Sequence, residues 1–138
     1  MVKRFDHLTI VVRDIDRAKA FFSVLGFKEA MSVVIAGEPF ASYMGVPGIE
    51  AEHVTLVLEN VSPRTEIQLL RYRHPDPLPD PHIHDLNKLG MNHVCFAVDD
   101  IEAEIRQTKS ERIRDPQRGH GLSLAQAGLH RRTRGRHH

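Results

Sequence analysis

This chain has no tryptophan, only two tyrosines and a single cysteine. The lone Cys95 excludes an intrachain disulfide framework. No apolar stretch reaches the length of a signal-peptide core or the roughly 20 residues of a membrane-spanning helix, so a cytoplasmic protein without a membrane partner is expected. An excess of one charge is also missing, since the net charge is +1. That balance hides an asymmetry. Residues 1–110 carry 12 Lys+Arg against 16 Asp+Glu, net −4, whereas residues 111–138 carry 7 against 2, net +5. A basic terminal arm can neutralise phosphates, but no aromatic residue is interleaved with these arginines and no recognised nucleic-acid fold precedes them. No nucleic-acid partner is expected.

What is present reads as packed protein. At 138 residues and 41% hydrophobic, the chain suits one domain or two small, closely packed modules. "FDHLTIVV" is apolar and β-branched, as a buried strand is. In "DIDRAKAFFSVLGF", Asp14 is a good N-cap, Ile15, Ala18, Phe22 and Leu25 recur at helical spacing, and Gly26 supplies the stop. "MSVVIAG", "HVTLVLEN" and "TEIQLLRY" follow as strands, separated by turns at "GEPF", "GVPG" and "NVSP". Residues 1–73 are thus a β-α-β-β-β module. Residues 74–90 hold four of the eight prolines and read as a connector. Its His74, His82 and His84 read as solvated side chains, because nothing in such a loop fixes their geometry.

Residues 91–110 then repeat the start of the chain. "FDHLTIVVRDIDRAK" set over "MNHVCFAVDDIEAEI" aligns His7 with His93, Val12 with Val98, Asp14 with Asp100 and Ile15 with Ile101, without gaps, at an offset of 86. Strand alternation places His7, Thr9 and Val11 on one face and His93, Cys95 and Ala97 on the equivalent face, with the larger Leu8, Ile10, Val12, Val94, Phe96 and Val98 turned toward the helices. A single histidine at a strand start is usually structural. Two at equivalent points of a duplicated module can converge on one ion. Glu66 and Gln68 in "TEIQLL" share a strand face and read either as further donors or as the exposed polar side of an edge strand. Thr9, His53, Thr55 and Cys95 are the candidate lining of a substrate cavity.

"FDHLTIVVRDIDRAKAFFSVLGFKEA", "TEIQLL" and "NHVCFAVDDIEA" resemble the vicinal oxygen chelate superfamily of glyoxalases, bleomycin resistance proteins, extradiol dioxygenases and methylmalonyl-CoA epimerases, with the glyoxalase I and epimerase types closest in pattern. The resemblance runs from residue 3 to about residue 109. It implies an α+β fold of paired βαβββ modules forming a cupped, partly open barrel around a divalent metal, which can be Zn, Mn, Fe, Co, Ni or Mg. Carried over residue by residue, it implies His7 and His93 as ligands, Gln68 as the intervening Glu/Gln ligand and Glu66 as its alternate. The implied activity is that of a lyase, isomerase or epimerase, in which the metal stabilises an enolate of a small substrate with adjacent oxygens. An extradiol-type dioxygenase or a catalytically impaired binding module are the alternatives. A homodimer is also implied, since family members commonly pair modules between chains.

The family's fourth ligand, a glutamate near the end of the second module, has no counterpart. Residues 111–138 offer no carboxylate after Asp115 and no convincing strand, so the second module reads as incomplete and metal occupancy as weak or absent. One choice of codons for Gln126–His138, read one base forward, gives "KLVYTGGPEGAI", which contains the family's "GPEG" turn. The tail therefore reads as a frameshifted segment, with the shift between Lys109 and Gln126. It is expected to have little regular structure from about Arg114 onward beyond a helical turn at "LSLAQAG". No metal role is expected for His137 or His138, and strand five is expected to pair into a mixed sheet.

Overall fold

The structure, a computed structural model, describes the backbone of residues 1–114 and 127–131 and the side chains of residues 1–110. Two compact units divide the chain between Pro79 and Asp80.

The first unit carries β1 (His7–Val11), α1 (Ile15–Val24), β2 (Phe27–Ala36), α2 (Phe40–Met44), β3 (Glu50–Leu58) and β4 (Glu66–His74). The strands form one sheet in the order β1-β4-β3-β2. β1 runs parallel to β4, and the other neighbours are antiparallel. The parallel pairing is what α1 makes possible, because parallel neighbours cannot be joined by a tight hairpin. Asp14 starts that helix by accepting a hydrogen bond from the Arg17 amide at 3.1 Å. Gly26, at φ 98°, turns the chain out of it. The expected βαβββ order is therefore present.

One face of the sheet packs on α1. Val54, Leu56, Ile67 and Leu69 are buried there with Phe22, which is fully buried and meets Phe27 edge-on at 5.6 Å. A smaller cluster of Ile35, Ala41, Ile49, Ala51 and Leu70 gathers around α2. The sequence read a plain turn at "GEPF", and α2 corrects this. The Ser42 amide and hydroxyl both donate to the Glu38 carboxylate, at 3.2 and 2.9 Å, and Gly45, at φ 68°, ends the turn of helix. β2 also begins earlier than "MSVVIAG" suggested, because a bulge between Glu29 and Met31 lets the strand extend back to Phe27.

The second unit contains β5 (Val94–Val98), α3 (Ile101–Arg114) and β6 (Ala127–Arg131). Its opening follows the repeat: Asp100 accepts from the Ala103 amide at 3.0 Å, as Asp14 does from Arg17. Burial alternates along both β1 and β5, with His7, Thr9, Cys95 and Ala97 on the exposed side. Strand five departs from expectation. It pairs in parallel with β6 in a separate two-stranded sheet rather than joining the first one. The reading of the tail as almost free of regular structure is corrected at the same place, since Ala127–Arg131 forms a strand. Ladder hydrogen bonds are backbone bonds, so a segment without a strand-like side-chain pattern can still pair with an open edge. The remainder of the "LSLAQAG" helical turn, residues 122–126, lies outside the described residues, as do His137 and His138.

Candidate functional site

The polar groups of the first unit collect on the sheet face opposite α1. The register puts His7 beside Glu66 and Thr9 beside Gln68. Thr55 flanks Gln68 on its other side, and His53 lies across from Leu70. Four adjoining positions on β1 and β4 therefore carry an imidazole, a hydroxyl, a carboxylate and an amide. Strand periodicity alone turns them all the same way.

These groups are connected. Glu66 Oε1 accepts from Arg64 at 3.0 Å and its Oε2 from the Gln68 amide nitrogen at 2.8 Å. Gln68 Oε1 lies 2.9 Å from His53 Nε2 and 3.5 Å from the Thr9 hydroxyl. His7 Nδ1 lies 2.7 Å from Asp6 Oδ1 and 3.9 Å from Glu66 Oε2. Burial pushes the Glu66 carboxyl upward, but hydrogen bonds from Gln68 and Arg64, with the charges of Arg64 and His7, outweigh it and hold the group below the usual glutamate range. Asp6 is likewise held low, chiefly by its hydrogen bond from His7. Both carboxylates are therefore ionised at neutral pH, as metal donors must be.

Asp6, His7 and Glu66 each offer a ligand atom, and these atoms lie within 4.8 Å of one another. Donors to a divalent ion at about 2.0–2.2 Å stand at most roughly 4.4 Å apart across it, so a grouping of this size is of the order a shared ion requires. Oxygen and imidazole donors together suit Zn, Mn, Fe or Co. Because ionised Asp6 can only accept, His7 Nδ1 carries the proton and Nε2 keeps the lone pair. This is the arrangement in which an outer carboxylate orients a metal-binding histidine. In the second unit, His93 Nδ1 lies 2.7 Å from Asn92 Oδ1, so it too is the donor, and the lone pair of the neutral ring is on Nε2.

Of the residues singled out in the sequence, His7, Thr9, His53, Thr55, Glu66 and Gln68 share this one face. His93 and Cys95 open the second unit, where Cys95 is exposed. Gln68 Oε1 meets His53 and the Thr9 hydroxyl, and Glu66 Oε2 lies 3.9 Å from His7 Nδ1. Asp6 and Asn92 were missed. The signal was available, since each immediately precedes its histidine in the repeat and each bears a side-chain oxygen. Of the connector histidines, His74 ends β4, and His82 lies 3.1 Å from Asp85 while remaining exposed.

Comparison with known proteins agrees with this fold. The chain is 32% identical over 115 residues to mitochondrial methylmalonyl-CoA epimerase of Bos taurus and 30% identical over 116 residues to that of Homo sapiens. Each match covers 80% of this chain but 55% of the relative, so the chain spans about half the length of these relatives. Among solved structures, a glyoxalase family protein from Bacillus cereus superposes with a TM-score of 0.73 at 25% identity, covering 80% of this chain and 73% of that one. Residues 6–128 match the family described as the glyoxalase/bleomycin resistance protein/dioxygenase superfamily. The match reaches beyond the point where the resemblance in the sequence fades, and it takes in both candidate histidines, both helix-capping aspartates and the first residues of β6. With that coverage and the βαβββ unit described above, this chain belongs to the glyoxalase/bleomycin resistance protein/dioxygenase superfamily.

Proposed function

We propose that this chain is a metal-dependent enzyme of the lyase, isomerase or epimerase kind, acting on a small substrate with two adjacent oxygens. The observation that carries the reading is the Asp6, His7 and Glu66 group, whose ligand atoms lie within 4.8 Å of one another on an open sheet face. His7 and Glu66 would hold the ion, while Asp6 orients His7. A divalent ion bound there supplies Lewis acidity toward negative charge that develops on a substrate oxygen. The protein's own part is positional. Arg64 and Gln68 keep Glu66 ionised and aimed, and Thr9, Thr55 and His53 line the same face with hydroxyl and imidazole groups. The named relatives are epimerases, and removal and return of a proton beside a thioester carbonyl is chemistry that such a face can serve. The exposed Val11, Met31 and Val33 on that face support a homodimer, because an open sheet face with apolar residues gains from being covered.

The test is solvent exchange. Methylmalonyl-CoA incubated with the protein and Mn²⁺, Co²⁺ or Zn²⁺ in D₂O is expected to gain deuterium at the carbon between its carbonyls faster than without protein. His7→Ala is expected to remove the acceleration. No acceleration with any of these ions would refute the epimerase reading.

A further inference from the structure

A second group of charges lies away from the polar face. β1 and β4 run parallel and reach their carboxyl ends side by side, with Val11 beside Leu70 and the Val12 amide bonded to the Leu70 carbonyl at 2.8 Å. Arg13 and Arg71, which follow, are brought together by that pairing, and strand alternation turns Arg71 and Arg73 to the side opposite Glu66 and Gln68. These three arginines line a cleft of about 360 Å³ in the first unit, together with Val12, Asp76 and Pro77. That volume suits a small ligand.

The three guanidinium groups are not equivalent. Arg73 is held by two carboxylates, donating to Glu50 at 3.2 Å and to Glu52 at 2.9 Å. Arg71 is fixed through its Nε, which donates to the Arg13 carbonyl at 3.3 Å. Its Nη1 approaches Glu52 only to 3.7 Å, too far for a hydrogen bond. Among the described residues, no hydrogen bond or ion pair engages the Arg13 guanidinium or the Asp76 carboxylate. With Glu50 and Glu52 bonded to Arg73, the charges left to the cleft are Arg13 and Arg71 against Asp76. Two neighbouring cations with unused donors are stabilised by an anion, and a guanidinium presents its donors as a planar fork. A carboxylate has two oxygens, which one fork satisfies. A phosphate has further oxygens for the second fork.

We infer that this cleft binds the phosphate group of a small molecule, with Arg13 and Arg71 as its two forks. Arg73, anchored on Glu50 and Glu52, forms the wall beside them. The site needs no metal and does not depend on the reading of the polar face.

The test is NMR titration of the full, metal-free chain with phenyl phosphate, inorganic phosphate and acetate at matched ionic strength. Saturable shifts at the amides around Arg13 and Arg71 are expected with the phosphates and weaker ones with acetate. Tighter binding of phenyl phosphate identifies an organic phosphate, whose carbon part Val12 and Pro77 can contact. Equal binding identifies inorganic phosphate. Arg13→Gln, whose side chain has no partner to lose among the described residues, is expected to weaken phosphate binding about tenfold with the melting temperature unchanged. Asp76→Asn is expected to strengthen it about threefold, because it removes the one carboxylate on the cleft. Phosphate shifts no greater than those with acetate, or an affinity unchanged in Arg13→Gln, would overturn the proposal.

Discussion

Asp6 accepts a hydrogen bond from the Nδ1 of His7 at 2.7 Å, from the position immediately before it in the chain. Asn92 and His93 repeat the relationship at 2.7 Å in the second unit. The duplication visible in the sequence thus extends past the histidines to the groups that set their tautomers. Asp6→Asn is expected to retain the acceptor but lose its charge, weakening divalent-ion affinity by about tenfold without abolishing it. Equilibrium dialysis against Zn²⁺ checks this. Unchanged affinity would mean that Asp6 does not act through His7.

Acid should loosen the first unit through Glu66. Its folded-state pKa lies below the ordinary 4.5, so the stability it contributes is complete above that value and is lost as pH falls through the folded value. Glu66→Gln is expected to cost about 1 kcal/mol at neutral pH and to cost less and less as pH falls below the ordinary value. Urea unfolding of both proteins across that range tests it. A cost that stays the same down to acid pH would remove the charge from the explanation.

The core makes a larger demand. Phe22 is fully buried and packs edge-on against both Phe21 and Phe27, at 5.2 and 5.6 Å. Phe22→Ala is expected to destabilise the protein by about 3–5 kcal/mol. Asp14→Ala, which removes only the cap of α1, is expected to cost about 1 kcal/mol. Denaturant midpoints that rank these two in the reverse order would contradict the packing described.

What could be read from the sequence follows the range of the physics involved. β1, α1 and the capping aspartates are fixed by neighbours within a few residues, so "FDHLTIVV" and "DIDRAKAFFSVLGF" were readable directly. α2 depends on Glu38 reaching the Ser42 amide and hydroxyl, and five residues are too few for a periodic signal. The choice between Glu66 and Gln68 was open because alternation gives them the same face. The structure adds the hydrogen bonds that set the two side chains apart, from Arg64 to Glu66 and from His53 and Thr9 to Gln68, which no spacing rule contains. β6 was missed because its pairing with β5 is made by backbone groups, while "AGLHR" carries little strand signature of its own.

The tail has its own test. If residues beyond about Ser110 are read out of frame, sequencing the gene will find a single-base change between the Lys109 and Gln126 codons that restores "GPEG" and a glutamate-bearing strand. The repaired protein is then expected to bind metal more tightly and to melt higher, since an ion bound only by the folded state stabilises it. A repaired protein that is no tighter and no more stable would make the present tail, with its strand against β5, the working end of the molecule.

The central claim is that His7 and Glu66 hold a divalent ion together. Equilibrium dialysis against Mn²⁺ and Zn²⁺, followed by metal analysis of the wild type, His7→Ala and Glu66→Ala, tests it most directly. The predicted result is saturable binding by the wild type, lost in His7→Ala and in Glu66→Ala. Binding that survives both His7→Ala and Glu66→Ala would contradict it.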